Sequence, residues 1–221
     1  SAVFWSAAGG HLDSLKFFLS RATIADRLYS RRRQLLHIAA AHGHVGAVRL
    51  LLSAGADINA LGGDDGQSVL CRACQWGYYN VVQELVQHPK LDLDKHGDVR
   101  WTPLAAAADQ GYVRSVRLLL ERGADPNVLG SINWSPLQFA IHKAGAGKLG
   151  LVKLLVEAGH SVDAPGTFNR TALLRAAYAG HVDIADYLIS KGAQATLSDQ
   201  GNSNGLHLAA ERGHAEIIRL L

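Results

Sequence analysis

The 221 residues hold only two cysteines, Cys71 and Cys74. That excludes a disulfide framework and points to a reducing compartment, the cytoplasm or alternatively the nucleus. An excess of charge is lacking too. With 22 Lys and Arg against 19 Asp and Glu, the formal net charge is +3, which is too mild to argue for nucleic acid. No apolar run approaches the roughly 18 residues of a membrane-spanning helix, and no secretory leader is legible from Ser1. There is no glycine-rich phosphate loop, nucleophile elbow or paired-metal motif. The sequence therefore predicts no enzyme, no cofactor and no metal site.

What it does hold is a period. Residues 101–127 read WTPLAAAADQGYVRSVRLLLERGADPN. Thr102 can cap a helix, and Pro103 suits the first helical position. Leu104 and Ala105 to Ala108 make a thin helix that a neighbour can approach closely, and Gly111 ends it in the left-handed conformation. Val113, Val116, Leu118, Leu119 and Leu120 form the apolar face of a second helix that Gly123 closes. Two such short helices cannot bury both apolar faces alone, so the unit predicts neighbours like itself.

The inter-helix glycine recurs at Gly10, Gly43, Gly77, Gly111, Gly147, Gly180 and Gly213, at spacings of 33, 34, 34, 36, 33 and 33. His11, His44, His181 and His214 follow it in four units, Tyr78 and Tyr112 in two more. This near-33 helix–turn–helix period resembles the ankyrin repeat over the whole chain. The resemblance implies an all-α solenoid of antiparallel helix pairs with projecting β-turn fingers, in about seven repeats. We place them near 1–28, 29–62, 63–96, 97–129, 130–165, 166–198 and 199–221, the first and last incomplete. The fifth carries three extra residues, assigned to Ala144-Gly145-Ala146. Terminal repeats want a polar outer face. Phe4, Trp5, Ile217, Ile218, Leu220 and Leu221 are instead expected to be partly bare, as in a segment of a longer array or of a multidomain regulatory or scaffold protein. Relatives pair a threonine with a histidine three residues on; no repeat here keeps both, which implies an array less stable than its consensus.

The chemistry-bearing residues fit this period better than they fit a reaction. Cys71 and Cys74 occupy the slots of Ala105 and Ala108, as small core residues. Six of the eleven histidines, His11, His37, His44, His181, His207 and His214, fall on repeat slots without needing a metal.

What varies between repeats lies on the finger tips and the open face of each first helix, which in such arrays line one groove. The tips offer Arg31, Arg33, Asp64, Asp65, Gln67, Asp98, Val99, Trp101, Ile132, Trp134, Phe168 and Arg170. The helices offer His42, Arg72, Gln75, Trp76, Asp109, Gln110, His142, Lys143, Arg175, Tyr178, Glu211 and Arg212. Ten of these form the expected partner-binding set: Arg31, Arg33, Asp65, Trp76, Trp101, Asp109, Trp134, Phe168, Arg170 and Tyr178. Trp76, Trp101, Trp134, Phe168 and Tyr178 stand in consecutive repeats, a candidate hot-spot seam or else packing along the fingers. Trp101 and Trp134 share a slot and should lie close together. Arg122, at the far end of a second helix, should matter to neither binding nor stability. Mixed charge along the groove suits a protein partner better than a phosphate backbone. A monomeric module binding one protein of unknown identity is expected, with a structural spacer or an acidic-surface binder as alternatives.

Overall fold

The computed structural model describes residues 2–21, 32–62, 66–97, 101–130, 132–142 and 148–221. Among them stand seven helix pairs. They are Ala2–Ala8 with Leu12–Ser20, Arg32–Ala41 with Val45–Ser53, Val69–Trp76 with Tyr79–Leu85, and Pro103–Gln110 with Val113–Glu121. Pro136–His142 with Leu149–Glu157, Ala172–Ala179 with Val182–Ser190, and Gly205–Arg212 with Ala215–Leu220 complete the series. First helices stack on first helices and second on second, giving two layers along one axis. The core runs unbroken between the layers, from Leu15 and Leu36 through Leu70, Leu104 and Leu119 to Leu137, Leu155 and Leu188, all fully buried. The all-α expectation holds, the one strand pair among the described residues being Leu61–Gly62 antiparallel to Gln67–Ser68 at the base of a finger. The expected insertion at residues 144–146 lies outside the described residues.

From the third unit on, each first helix starts on a side-chain cap. Ser68, Thr102 and Thr171 accept from the amides of Cys71, Ala105 and Leu174 at 3.1, 3.1 and 3.3 Å. Asn204 accepts from His207 at 3.2 Å. Each bond removes one of the four orphaned amides of a helix start.

The glycine period has two physical causes. Gly43, Gly77, Gly111 and Gly180 have φ of 75°, 74°, 81° and 78°, a conformation in which a side chain is strained. Each also lies under the residue that follows the next repeat's glycine. A Cβ on Gly43 would come 2.6 Å from the Tyr78 ring, one on Gly77 2.6 Å from Tyr112, and one on Gly180 2.6 Å from His214. The histidines in this slot also bond the preceding repeat: His44 Nε2 to the Ala8 carbonyl at 2.7 Å and His214 Nε2 to that of Tyr178 at 3.2 Å. In the fifth repeat Lys148 takes the ring's place, its Nζ donating to the Asp109 carbonyl at 3.1 Å.

Two further ladders tie the repeats. His37 Nε2 pairs with the Gln67 carbonyl at 2.9 Å, the Cys71 thiol lies 3.6 Å from that of Trp101, and Gln138 Nε2 donates to that of Arg170 at 3.0 Å. Each reaches the residue just before the next repeat's cap. Gln138 also returns its Oε1 to the Ser135 amide, completing a capping box. In the fifth repeat, which has neither the threonine nor the histidine of its relatives' pair, a serine and a glutamine make a cap and a bond to the next repeat. On the opposite turns, Asn59, Asp94, Asn127 and Asp163 accept from the amides of Asp92, Asp125, Ser161 and Gln194 in the following repeat.

Ile217, expected to be partly bare, is fully buried, whereas Phe4, Trp5 and Ile218 are exposed. Arg122 is not idle: its Nη1 donates to the Val86 carbonyl of the preceding repeat at 2.8 Å.

Candidate groove of the fifth to seventh repeats

Fingers and first helices place the variable residues on one face. The last three fingers close on themselves just before a cap: Gly130 donates to Trp134 at 3.2 Å, Gly166 to Arg170 at 3.1 Å, and Asp199 to Ser203 at 3.0 Å. Closure needs a left-handed residue two positions before the cap. Asn133, Asn169 and Asn202 supply it, with φ between 54° and 59°. Asparagine tolerates that region best after glycine.

Phe168 shares that conformation at φ 60°, where a bulky side chain is an outlier. It is held there by the Gln200 amide, which donates to its carbonyl at 2.9 Å. Its ring is 64% exposed. Strain kept in place to present an exposed aromatic is a pointer to function.

Behind it lies an open cavity of about 600 Å³, lined by Trp134, Phe168, Arg170, Arg175, Tyr178 and Arg212, with His142 and His214 at its sides. Its walls are guanidinium planes on aromatic faces. Arg175 lies 3.8 Å over the Trp134 ring. Arg212 and Arg170 lie 4.1 and 5.1 Å over Tyr178, and Arg212 also donates to the Tyr178 hydroxyl. Arg170 pairs with Asp199 at 3.0 Å. Burial alone would raise the Asp199 carboxyl, but the Ser203 amide, Arg170 and the Gly201 amide hold it below the usual carboxylate range. Burial, reinforced by the like charge of Arg170, pushes Arg175 down to about 10.

The structure brings Trp134, Phe168, Arg170 and Tyr178 together around this cavity. Trp101 reaches it only indirectly. Its ring lies 6.2 Å from Phe139, whose other neighbour at 5.0 Å is Trp134. The two indoles thus flank one buried phenylalanine. The Trp134 ring also meets His142 edge-on at 4.8 Å, so it is committed to the finger's packing as well as to the groove.

Trp76 is 57% exposed at the end of its helix and does not line this cavity, so the five-residue seam is divided. Arg33 lines a second cavity of about 530 Å³ with Phe4, His37 and Arg72, at the other end of the groove. Asp109, expected on the open face, is 3% exposed. Gln110 donates to its carboxylate at 2.9 Å and Lys148 to its carbonyl, and both side chains cover it. Gln67 is likewise buried, its amide donating to Gln75 at 3.0 Å. Arg31 and Asp65 lie outside the described residues, as do Asp64, Asp98, Val99 and Lys143. Phe139 was missed by sequence reasoning because its slot holds alanine in the type repeat, Ala106. Among the described residues, no cluster of three His, Cys, Asp or Glu side chains could hold a metal, and no helix is long and apolar enough to cross a membrane.

Comparison with known proteins agrees with this fold. The family model described as ankyrin repeats (3 copies) matches residues 1–62, 36–130, 92–165 and 137–221. The ankyrin repeat and KH domain-containing protein mask-1 of Caenorhabditis elegans is 30% identical over 252 residues, covering 100% of this chain and 10% of that protein. The B-cell lymphoma 3 protein homolog of Mus musculus is 31% identical over 192 residues, covering 85% of this chain and 42% of that one. The crystal structure of the ankyrin repeat domain of Bcl-3, described as a unique member of the IkappaB protein family, superposes with a TM-score of 0.79 at 27% identity, covering 99% of this chain and 98% of that one. The chain thus spans a tenth to under a half of the length of these two curated relatives.

Proposed function

We propose, from the premise that this chain belongs to the ankyrin-repeat family, that it is a non-catalytic module holding one protein partner against its fingers and first helices. The family supports a protein-interaction role in general. The particular site is our own reading. The observation that carries it is the cavity of the fifth to seventh repeats, where an exposed phenylalanine in a strained conformation stands beside three guanidinium groups stacked on aromatic rings. Such residues dominate binding energy at interfaces. The array acts as a monomer, and its repeats hold the groove residues in fixed register without moving parts. The relatives named above are longer than the chain, which accords with a module of a larger regulatory or scaffold protein. The two buried free thiols accord with a reducing compartment, cytoplasm or nucleus.

A photo-crosslinking amino acid placed at position 168, and separately at position 117 on a second helix, tests this in living cells. Arg117 is exposed. The expected result is a discrete protein adduct from 168 that is absent from 117. Equal adducts from both positions, or none from 168, would overturn the reading.

A further inference from the structure

We propose that the cavity between Trp134 and Arg212 is a receptor for a carboxylate side chain of the partner, an Asp or Glu next to an aromatic residue in an acidic peptide segment. The proposal rests on the reading of this groove as a partner-binding surface and names the chemistry that the partner must bring.

Charge is the first argument. Arg170, Arg175 and Arg212 face the cavity, and Asp199, paired with Arg170, is the carboxylate that answers them. Among the described residues, no carboxylate pairs with Arg175 or Arg212. The second argument is an orphan. The Nε of Arg175 is buried and has no hydrogen-bond partner. A buried donor left unmade costs free energy, more so on a charged group. A carboxylate entering the cavity gives that donor an acceptor and offsets the repulsion between Arg175 and Arg170.

Geometry is the third. Stacking fixes the Arg175 and Arg212 planes over Trp134 and Tyr178. A guanidinium held by its face presents its N–H edge to a carboxylate: Arg175 offers the unpaired Nε–H, and Arg212 the N–H groups beyond the one given to the Tyr178 hydroxyl. The aromatic neighbour of the acid would lie against Phe168, whose exposed ring borders the cavity. A volume of about 600 Å³ holds one or two side chains rather than a strand of nucleotides. A nucleic acid backbone would need a one-sign stripe along the array. Here the guanidinium groups fall into two separate clusters, this cavity and the Arg33 and Arg72 pair at the other end of the groove, rather than into one stripe.

The test is fluorescence anisotropy on the intact chain with three labelled probes: an Asp-Phe repeat peptide, its Asn-Phe counterpart and a short oligothymidylate. The Asp-Phe peptide is expected to bind, and the Asn-Phe peptide to bind about tenfold weaker or worse, the scale of one lost charge-assisted pair. Arg175→Gln and, separately, Arg212→Gln should each weaken the Asp-Phe peptide about tenfold, while Arg117→Gln leaves it unchanged. Circular dichroism checks that each variant remains folded. Because Arg212 is exposed, its variant keeps the test valid if Arg175→Gln unfolds.

Equal binding of the Asn-Phe peptide, tighter binding of oligothymidylate, or full affinity in Arg212→Gln would each overturn the proposal. A crosslinked protein at position 168 together with no Asp-Phe binding would reject the acidic chemistry alone and leave the interaction module standing.

Discussion

His160 makes the fold sensitive to mild acid, and the effect can be worked from its surroundings. It stands in the Gly-Ala-Asp turn, where other repeats place Ala124 or Ala193, and it is 5% exposed. Burial pushes its pKa from 6.5 to about 4, only partly opposed by the Ser161 backbone and the Asp125 carboxylate. The folded chain therefore holds this ring neutral, while the unfolded chain takes up a proton as soon as pH drops below 6.5. Stability from this group is full above pH 6.5 and is lost as pH falls toward 4. The whole interval is worth about 3 kcal/mol, of which about 2 is lost by pH 5.

Urea unfolding at a series of pH values between 7 and 4 on the wild type and on His160→Ala measures it. The other histidines that burial lowers, His37 and His181, are common to both proteins and cancel in the difference. The variant should lose about 2 kcal/mol less than the wild type between pH 7 and pH 5. Parallel pH profiles would refute the reasoning, whatever the absolute stability of the variant at pH 7.

Three further outcomes are expected. Phe168→Gly relieves a left-handed side chain worth roughly 1–2 kcal/mol against about 0.5–1 for glycine's own freedom. It should raise the free energy of urea unfolding by about 0.5 kcal/mol while weakening partner binding, and a fall in both would show that the strain is not stored there. Leu119→Ala, at a fully buried site in the second-helix layer, should cost roughly 2–5 kcal/mol in denaturant unfolding. Asp94→Asn should stabilise by about 0.5 kcal/mol or less, since the site is half exposed. Burial, with Asp125 and Asp92 beside it, raises that carboxyl despite the Asp125 amide, and an amide keeps the acceptor as Asn59 and Asn127 do. This gain is present above the raised pKa of Asp94 and vanishes as pH falls through it.

The period was legible because the described inter-helix glycines are demanded by a left-handed backbone and, at Gly43, Gly77 and Gly180, a second time by the ring lying on them. The caps were legible for the same kind of local reason. Gln138 is not legible as a linking residue because Ser135 and Gln138 make the bonds of a threonine–histidine pair with other atoms. Asp109 and Gln67 were misplaced because exposure depends on the neighbouring repeat's side chains, Lys148 over one and the His37 contact beside the other. The slots of Trp134, Phe168, Arg170 and Tyr178 could be read in register. Their convergence on one cavity could not, because it depends on stacking three repeats and on guanidinium rotamers over aromatic rings. Trp76 falls away from that cluster because it ends the helix Val69–Trp76 of the third unit, while the cavity is lined by residues of the fifth to seventh.

Amide-hydrogen exchange, with and without the protein crosslinked at position 168, tests most directly whether this groove is the centre of binding. Slowed exchange is predicted in Thr167–Asn169, Ala172–Ala179 and Gly205–Arg212, with Val113–Glu121 unchanged. Protection confined to the second-helix layer, with none in those three segments, would contradict the account.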